Sequence, residues 1–137
     1  MTLILCLDDK NGMAFNGRRQ STDKVLRTRI LQQAQGKNLW MSPYSARRFE
    51  PLPLGVLVDA DFMNKAASDD ACFVETQDPS YDLHRFYKLI VYRWNRAYPA
   101  DVYFPFEKHV DRLRLISSFN MEGNSHQRIT EEVYEIM

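Results

Sequence analysis

Residues 2–12 of the chain, TLILCLDDKNG, decide how the fold begins. The first six are a continuous apolar run, and the run stops at a polar turn that ends in Asn11-Gly12. This pattern is typical of a strand that is buried on both faces and followed by a turn. Such strands lie centrally in α/β sheets, so we expect residues 2–7 to form a central strand.

The next segment has neither a helical nor a strand period. It carries two turn signals, Asn11-Gly12 and Asn16-Gly17, so we expect a long structured loop over residues 13–20. Apolar residues then recur at helical spacing, which predicts an amphipathic helix over residues 21–34 with Ser21 as its N-cap.

Three more apolar runs alternate with short helical stretches. The predicted strands are residues 37–41, 54–58 and 71–75. Short helices are expected to begin at Ser42-Pro43 and after a cap at Asp59. The connections are short enough to be crossovers, which predicts a three-layer α/β domain with a mainly parallel central sheet.

The pattern changes after a polar link over residues 76–83. Four β-prone runs follow with little helix between them, at residues 86–94, 102–104, 113–119 and 129–136. A loop from Met121 to His126 joins the last two, which predicts a C-terminal antiparallel hairpin.

Length and charge set broad limits on function. The chain has 137 residues, which is near the common size of one domain, so we expect a single domain over residues 1–137. With 18 Lys+Arg and 18 Asp+Glu the net charge is zero, so the chain has no overall electrostatic potential that would attract nucleic acid or anionic lipid. No apolar stretch approaches a membrane span and no leader pattern precedes the first strand, so the cytoplasm is the expected compartment.

Cysteine and histidine give no metal signal. Cys6 and Cys72 lie in apolar stretches, where a free cysteine acts as a small buried hydrophobe. The three histidines, His84, His109 and His126, are isolated, so they cannot form the cluster that a two-zinc hydrolase needs. No metal site is expected. His126, beside a serine in the hairpin loop, is a candidate general acid or base, and a surface loop histidine is the alternative.

Several short motifs resemble dihydrofolate reductase in the right order over nearly the whole chain. The first strand, the loop start Asn11-Gly12-Met13 and the acidic Asp23 resemble the N-terminal part of that family. In the C-terminal half, Asp101 to Pro105 resembles its D-x-x-F-P segment, and Gly123 to His126 resembles its final hairpin. The resemblance implies a dihydrofolate reductase-like fold, with Asp23 near the position of the active-site carboxylate.

Two departures bear on function. The family binds NADPH through a Gly-Gly turn after the strand at 71–75, where glycine lets the backbone approach the diphosphate. This chain has Glu75 to Pro79 there, and it has Arg18-Arg19-Gln20 where the family has a Pro-Trp pair. We therefore expect the scaffold without the hydride-transfer site, and no cofactor.

The segment Gly17 to Ser21 is the strongest local candidate for a binding site. Two guanidiniums, a hydroxyl and the first N–H groups of a helix would converge there, a combination that holds phosphate or carboxylate. The alternative is that Ser21 only caps the helix and the arginines are solvated or paired with Asp8 and Asp9. Asp23 could donate a proton if burial raised its pKa, or it could be an acid favoured by the helix dipole.

The segment from Tyr92 to Tyr98 interleaves aromatic and arginine side chains. This composition can stack bases and hold phosphates. Alternation along a strand explains it equally well, with one face packed in the core and Arg93 and Asn95 on the other face.

The hypothesis that these observations favour is a non-redox protein that binds a small anionic or nucleotide-like ligand. The cleft would lie between the loop from Asp9 to Gln20 and the first helix. The expected ligand-binding residues are Asp9, Phe15, Arg18, Arg19, Ser21, Trp94 and Arg96, with Asp23 as a hydrogen-bond acceptor or catalytic acid. The alternatives are a divergent NADPH-dependent reductase and an RNA- or protein-interaction module that uses residues 92–98.

Overall fold

A computed structural model describes all residues from 1 to 137. The strands are β1 (Thr2–Leu7), β2 (Gly12–Phe15), β3 (Arg18–Arg19), β4 (Leu39–Met41), β5 (Val56–Val58), β6 (Ala71–Phe73), β7 (Lys88–Arg93), β8 (Val102–Tyr103), β9 (Leu113–Met121) and β10 (Ile129–Ile136). The α-helices are α1 (Lys24–Gln33), α2 (Pro43–Ala46), α3 (Phe62–Lys65) and α4 (Phe106–His109). Short 3₁₀ helices cover Arg47–Phe49, Ser80–Arg85 and Val110–Arg112.

The central sheet has seven strands in the order β5-β4-β6-β1-β7-β10-β9. The first five run parallel, whereas β10 is antiparallel to both β7 and β9. β1 lies in the middle, as its apolar run predicts. The predicted α/β class, the mainly parallel sheet and the C-terminal hairpin are confirmed.

Apolar clusters cover both faces of the sheet, because the side chains of β1 alternate between them. Leu3, Leu5 and Leu7 belong to the cluster under α3 and the 3₁₀ helix Ser80–Arg85. Ile4 belongs to the cluster under α1 and α2. The connections that leave β1 and β6 therefore pass to opposite faces, and a crevice opens beside the carboxyl ends of these two neighbouring strands.

The loop expected over residues 13–20 is instead a β-hairpin. β2 pairs with β3 and with β8 to form a second, three-stranded sheet, which the sequence pattern does not predict. Asn16 and Gly17 form the turn with φ of 53° and 71°. Two consecutive residues with positive φ match the right-handed twist of the strands, as a type I′ turn requires.

Two predicted helix caps are wrong. Helix α1 begins at Lys24 with Asp23, and not Ser21, as its N-cap, because the Asp23 carboxylate accepts from the N–H groups of Val25 and Leu26. Helix α3 has Asp61 in place of Asp59 at its cap position.

The predicted cap of α2 is confirmed. Ser42 is its N-cap, and the Ser42 hydroxyl accepts from the N–H of Ser45. Both cysteines are free, with Cys72 buried and Cys6 half-buried. No helix of the chain combines the length and the apolar character needed to cross a membrane.

Candidate functional site

The crevice at the carboxyl ends of β1 and β6 has an inner and an outer part. The inner part lies between α1 and the sheet, with Cys6, Glu75 and Trp94 among the residues that line it. Its free volume is only about 20 Å³. A cavity needs roughly 10–15 Å³ of such volume to hold one water molecule, so the inner part has room for about one water and is otherwise filled by side chains.

An ion pair closes the inner crevice. Arg19 Nε lies 3.0 Å and 3.2 Å from the two carboxylate oxygens of Glu75, and the Ser45 hydroxyl donates to Glu75 Oε1 at 2.7 Å. The Arg19 guanidinium also lies 4.1 Å from the centre of the Tyr44 ring. The exposed fractions of the paired side chains are 13% and 9%, so the charge of Arg19 is already matched by a protein carboxylate.

Asp8 forms no ion pair with Arg18 or Arg19. Its carboxylate accepts from the backbone N–H groups of Lys10, Gly12 and Tyr98 and from the side-chain amide of Gln20. Burial alone would raise the pKa of Asp8, but these hydrogen bonds outweigh it and lower the pKa below its usual range. Asp8 therefore holds the turn that follows β1.

Asp23 is 2% exposed and joins the start of α1 to the loop before β10. Its Oδ1 accepts from the N–H of Val25 at 2.9 Å, and its Oδ2 accepts from the N–H of Ser125 at 2.9 Å. Burial would raise its pKa, but hydrogen bonds from Ser125, His126 and Asn124 together push the pKa far below its usual range. A proton donor near neutral pH needs the opposite shift.

His126 is 5% exposed and contacts both Asp23 and the Trp94 ring. Its Nδ1 lies 3.1 Å from Asp23 Oδ2, and its Nε2 lies 3.0 Å from Ser21 Oγ and 3.1 Å from Tyr98 Oη. The imidazole stacks on Trp94 with ring centroids 4.6 Å apart. Trp94 is itself 4% exposed, so its ring packs on His126 and offers little surface to a ligand.

The outer part of the crevice is an open cleft of about 560 Å³. Its lining residues come from the β2–β3 hairpin and from the segment after β7: Phe15, Asn16, Arg18, Arg19, Gln20, Tyr98 and Pro99. Arg18 is exposed, and no carboxylate lies within ion-pair distance of its guanidinium. Phe15 is 44% exposed and provides the apolar side.

The structure thus brings only part of the predicted site together. Phe15, Arg18 and Arg19 line one cleft, as expected. Ser21, Asp23 and Trp94 line the inner crevice instead. Asp9 and Arg96 are exposed and line neither part, and the N–H of Asp9 donates to the carbonyl of Arg96.

Part of the segment from Tyr92 to Tyr98 is engaged in packing. Tyr92 is fully buried, and its hydroxyl donates to Glu131. Arg93 pairs with Glu132 at 3.1 Å, so its charge is already matched by a protein carboxylate. The alternation of a strand with one packed face accounts for this composition.

Sequence reasoning missed two partners in the crevice. Tyr98 lines the outer cleft, and its hydroxyl also lies 3.1 Å from His126 Nε2. Glu75 neutralises Arg19, whereas in the sequence it marks only the start of the segment that stands in place of the Gly-Gly turn. No three side chains from His, Cys, Asp and Glu are grouped so that they could hold a metal ion.

Comparison with solved structures establishes the fold. Dihydrofolate reductase from Enterococcus faecalis, in a structure complexed with NADP(H) and RAB-propyl, superposes with a TM-score of 0.68 at 12% identity. The match covers 98% of this chain and 95% of that chain. The chain has a dihydrofolate reductase-like fold. No protein-family model matches the sequence, and no curated protein matches it. At this level of identity the dihydrofolate reductase-like fold leaves the function open.

Proposed function

We propose that the chain binds a small anionic or nucleotide-like ligand, without redox chemistry, in the outer cleft. The observation that carries the proposal is the exposed, unpaired guanidinium of Arg18 in a cleft of about 560 Å³ that the aromatic side chains of Phe15 and Tyr98 also line. A guanidinium provides donors for phosphate or carboxylate, and an aromatic ring provides a stacking face. The cleft volume falls in the usual range for small-molecule sites.

Arg18 and Arg19 have different roles in this proposal. Arg19 keeps the inner crevice closed through Glu75, so it contributes little free charge to a ligand. Arg18 is the side chain that would contact the anion. Gln20 also lines the cleft, and its Nε2 donates to Asp8 Oδ2 at 3.0 Å, which holds its side chain in place.

Two features favour this proposal over a divergent NADPH-dependent reductase. The inner crevice beside Asp23 is too small for a heterocycle. In the segment after β6, the N–H of Ser80 donates to Asp78 Oδ1 at 2.9 Å. A diphosphate bound there would need such backbone N–H donors, and this one is already used by a carboxylate. No comparable observation favours RNA or protein binding through residues 92–98.

The test is a thermal-stability titration of the purified chain with inorganic phosphate, adenosine monophosphate and NADPH. A ligand at 100 times its dissociation constant stabilises by about 2.7 kcal/mol, so binding is measurable as a rise in melting temperature. We expect phosphate or the monophosphate to stabilise the wild type and not Arg18→Ala. Arg112→Ala is the matched control, because Arg112 is exposed at the opposite end of the sheet.

Two outcomes would contradict the proposal. If neither anion raises the melting temperature, the cleft does not bind anions. If NADPH alone stabilises the chain, and Arg18→Ala leaves that effect intact, the reductase alternative is favoured.

A further inference from the structure

Three side chains beside the inner crevice, of which Ser21 and Asp23 line it, form a line that the proposed ligand binding does not use. Ser21 Oγ lies 3.0 Å from His126 Nε2, and His126 Nδ1 lies 3.1 Å from Asp23 Oδ2. This is the order serine, histidine and carboxylate, with both contacts at hydrogen-bond distance. Sites that activate a serine hydroxyl are recognised by this geometry and not by sequence position.

The hydrogen bonds of Asp23 determine which nitrogen of His126 carries its proton. The strongly lowered pKa keeps Asp23 ionised, and an ionised carboxylate only accepts hydrogen bonds. The proton of a neutral imidazole therefore lies on Nδ1, facing Asp23. Nε2 is left as an acceptor, 3.0 Å from the Ser21 hydroxyl and 3.1 Å from the Tyr98 hydroxyl, which is the tautomer that a general base needs.

The orientation of His126 is fixed on several sides. Asp23 cannot rotate away, because it also accepts from N–H groups of α1 and of the loop before β10. Trp94 packs against the imidazole face at 4.6 Å. A base held by a carboxylate and a stacked ring keeps its geometry without help from a ligand.

Ser21 is the most accessible member of the line, since it is half-buried whereas Asp23 and His126 are buried. The backbone N–H groups of Ser21 and Thr22 donate to no protein acceptor. The N–H of the residue after a nucleophilic serine commonly stabilises the oxyanion that forms when the serine attacks a carbonyl. Thr22 is in that position here.

We propose that Ser21, His126 and Asp23 hydrolyse small carboxylic esters. Ser21 Oγ bonds to the carbonyl carbon while its proton passes to His126 Nε2. The ester C–O bond then breaks, and His126 returns the proton to the departing alkoxide. Water next attacks the acyl group on Ser21, gives a proton to Nε2 and releases a carboxylic acid, and that proton restores the serine hydroxyl.

The crevice limits the substrate to a short acyl group. Free volume next to Ser21 is about 20 Å³, which is less than an acetyl group occupies, so even the shortest acyl group requires side chains of the crevice to move apart. Tyr98 Oη contacts the same Nε2 and lines the outer cleft, so the alcohol portion of the ester would extend toward that cleft.

The experiment uses p-nitrophenyl acetate with the wild-type chain. After a brief reaction and acid quench, peptide mass spectrometry locates the acetyl group, and release of p-nitrophenolate gives the rate. We expect acetylation at Ser21 and a rate that falls about 100-fold or more in Ser21→Ala and in His126→Gln. Ser117→Ala, on the exposed face of β9, is the control and should keep the wild-type rate.

Locating the acetyl group by mass spectrometry requires only the wild-type chain, so this measurement tests the proposal even if Ser21→Ala or His126→Gln fails to fold. An acetyl group found only on lysine, tyrosine or His126 overturns the proposal. So does a folded Ser21→Ala protein that keeps the wild-type rate. Neither result affects anion binding by Arg18, which is measured separately.

Discussion

Replacing Asp23 by alanine should destabilise the chain more than any other single carboxylate removal. Asp23 Oδ1 accepts from the N–H groups of Val25, Leu26 and Asn124. Its Oδ2 accepts from the N–H and the hydroxyl of Ser125 and faces His126 Nδ1. The substitution therefore removes a helix cap and the connection between α1 and the β9–β10 loop at the same time.

The magnitude follows from these contacts. Losing an N-cap costs about 1 kcal/mol. Hydrogen bonds to a charged group are worth roughly 1.5–3 kcal/mol each, and neighbouring bonds are not additive. We expect a loss of about 3–5 kcal/mol in the free energy of unfolding, which is a large part of the roughly 5–15 kcal/mol that holds a typical domain.

The assay is urea unfolding followed by circular dichroism, with Asp111→Ala as the control. Asp111 is exposed in a 3₁₀ helix and forms no ion pair, so its removal should leave the midpoint unchanged. Asp23→Ala should shift the midpoint to clearly lower urea and lower the melting temperature by roughly 10–20 °C. Equal midpoints for the two variants would refute the role of Asp23 in stability.

The same variant has a pH signature. The folded-state pKa of Asp23 is far below its ordinary value, so its contribution to stability is fully present above the unfolded-state pKa of about 3.9. The contribution is lost as pH falls toward the folded-state pKa. The stability difference between wild type and Asp23→Ala should therefore be constant near neutral pH and shrink in acid. A difference that grows in acid would contradict this assignment.

Three further predictions concern buried polar groups. Burial raises the pKa of the Cys72 thiol to about 12, so a thiol reagent should not modify Cys72 at neutral pH until the chain is unfolded with urea. Glu131→Ala should cost about 2–4 kcal/mol in urea unfolding, because the buried Tyr92 hydroxyl then loses its acceptor, and an unchanged midpoint would contradict this. Arg19→Met should cost about 3 kcal/mol by leaving Glu75 unpaired, and adding Glu75→Gln should recover part of that loss.

The central sheet could be predicted because its signals are local. The run Thr2–Leu7 has the length and composition of a buried strand, and it pairs on both sides with parallel strands. The β2–β3 hairpin was missed, although its Asn16-Gly17 turn was visible, because the flanking strands are only four and two residues long. A pattern needs more residues than that to show a period of two.

The candidate site was harder to predict because its contacts join distant parts of the chain. Arg19 and Glu75 are 56 residues apart, and Ser21 and His126 are 105 residues apart. Local sequence shows which residues carry charge or a nucleophile. It does not show which carboxylate pairs with which arginine, so Arg18 and Arg19 looked equivalent although only Arg18 is free.

Arg19 and Glu75 come from distant segments of the chain, and their side chains meet at 3.0 Å. Either charge alone, nine-tenths buried or nearly so, would be left without a partner and would cost several kcal/mol. Each of the two residues therefore requires the other. Both line the inner crevice and help to fill it, so the open volume for a ligand lies in the outer cleft with Arg18.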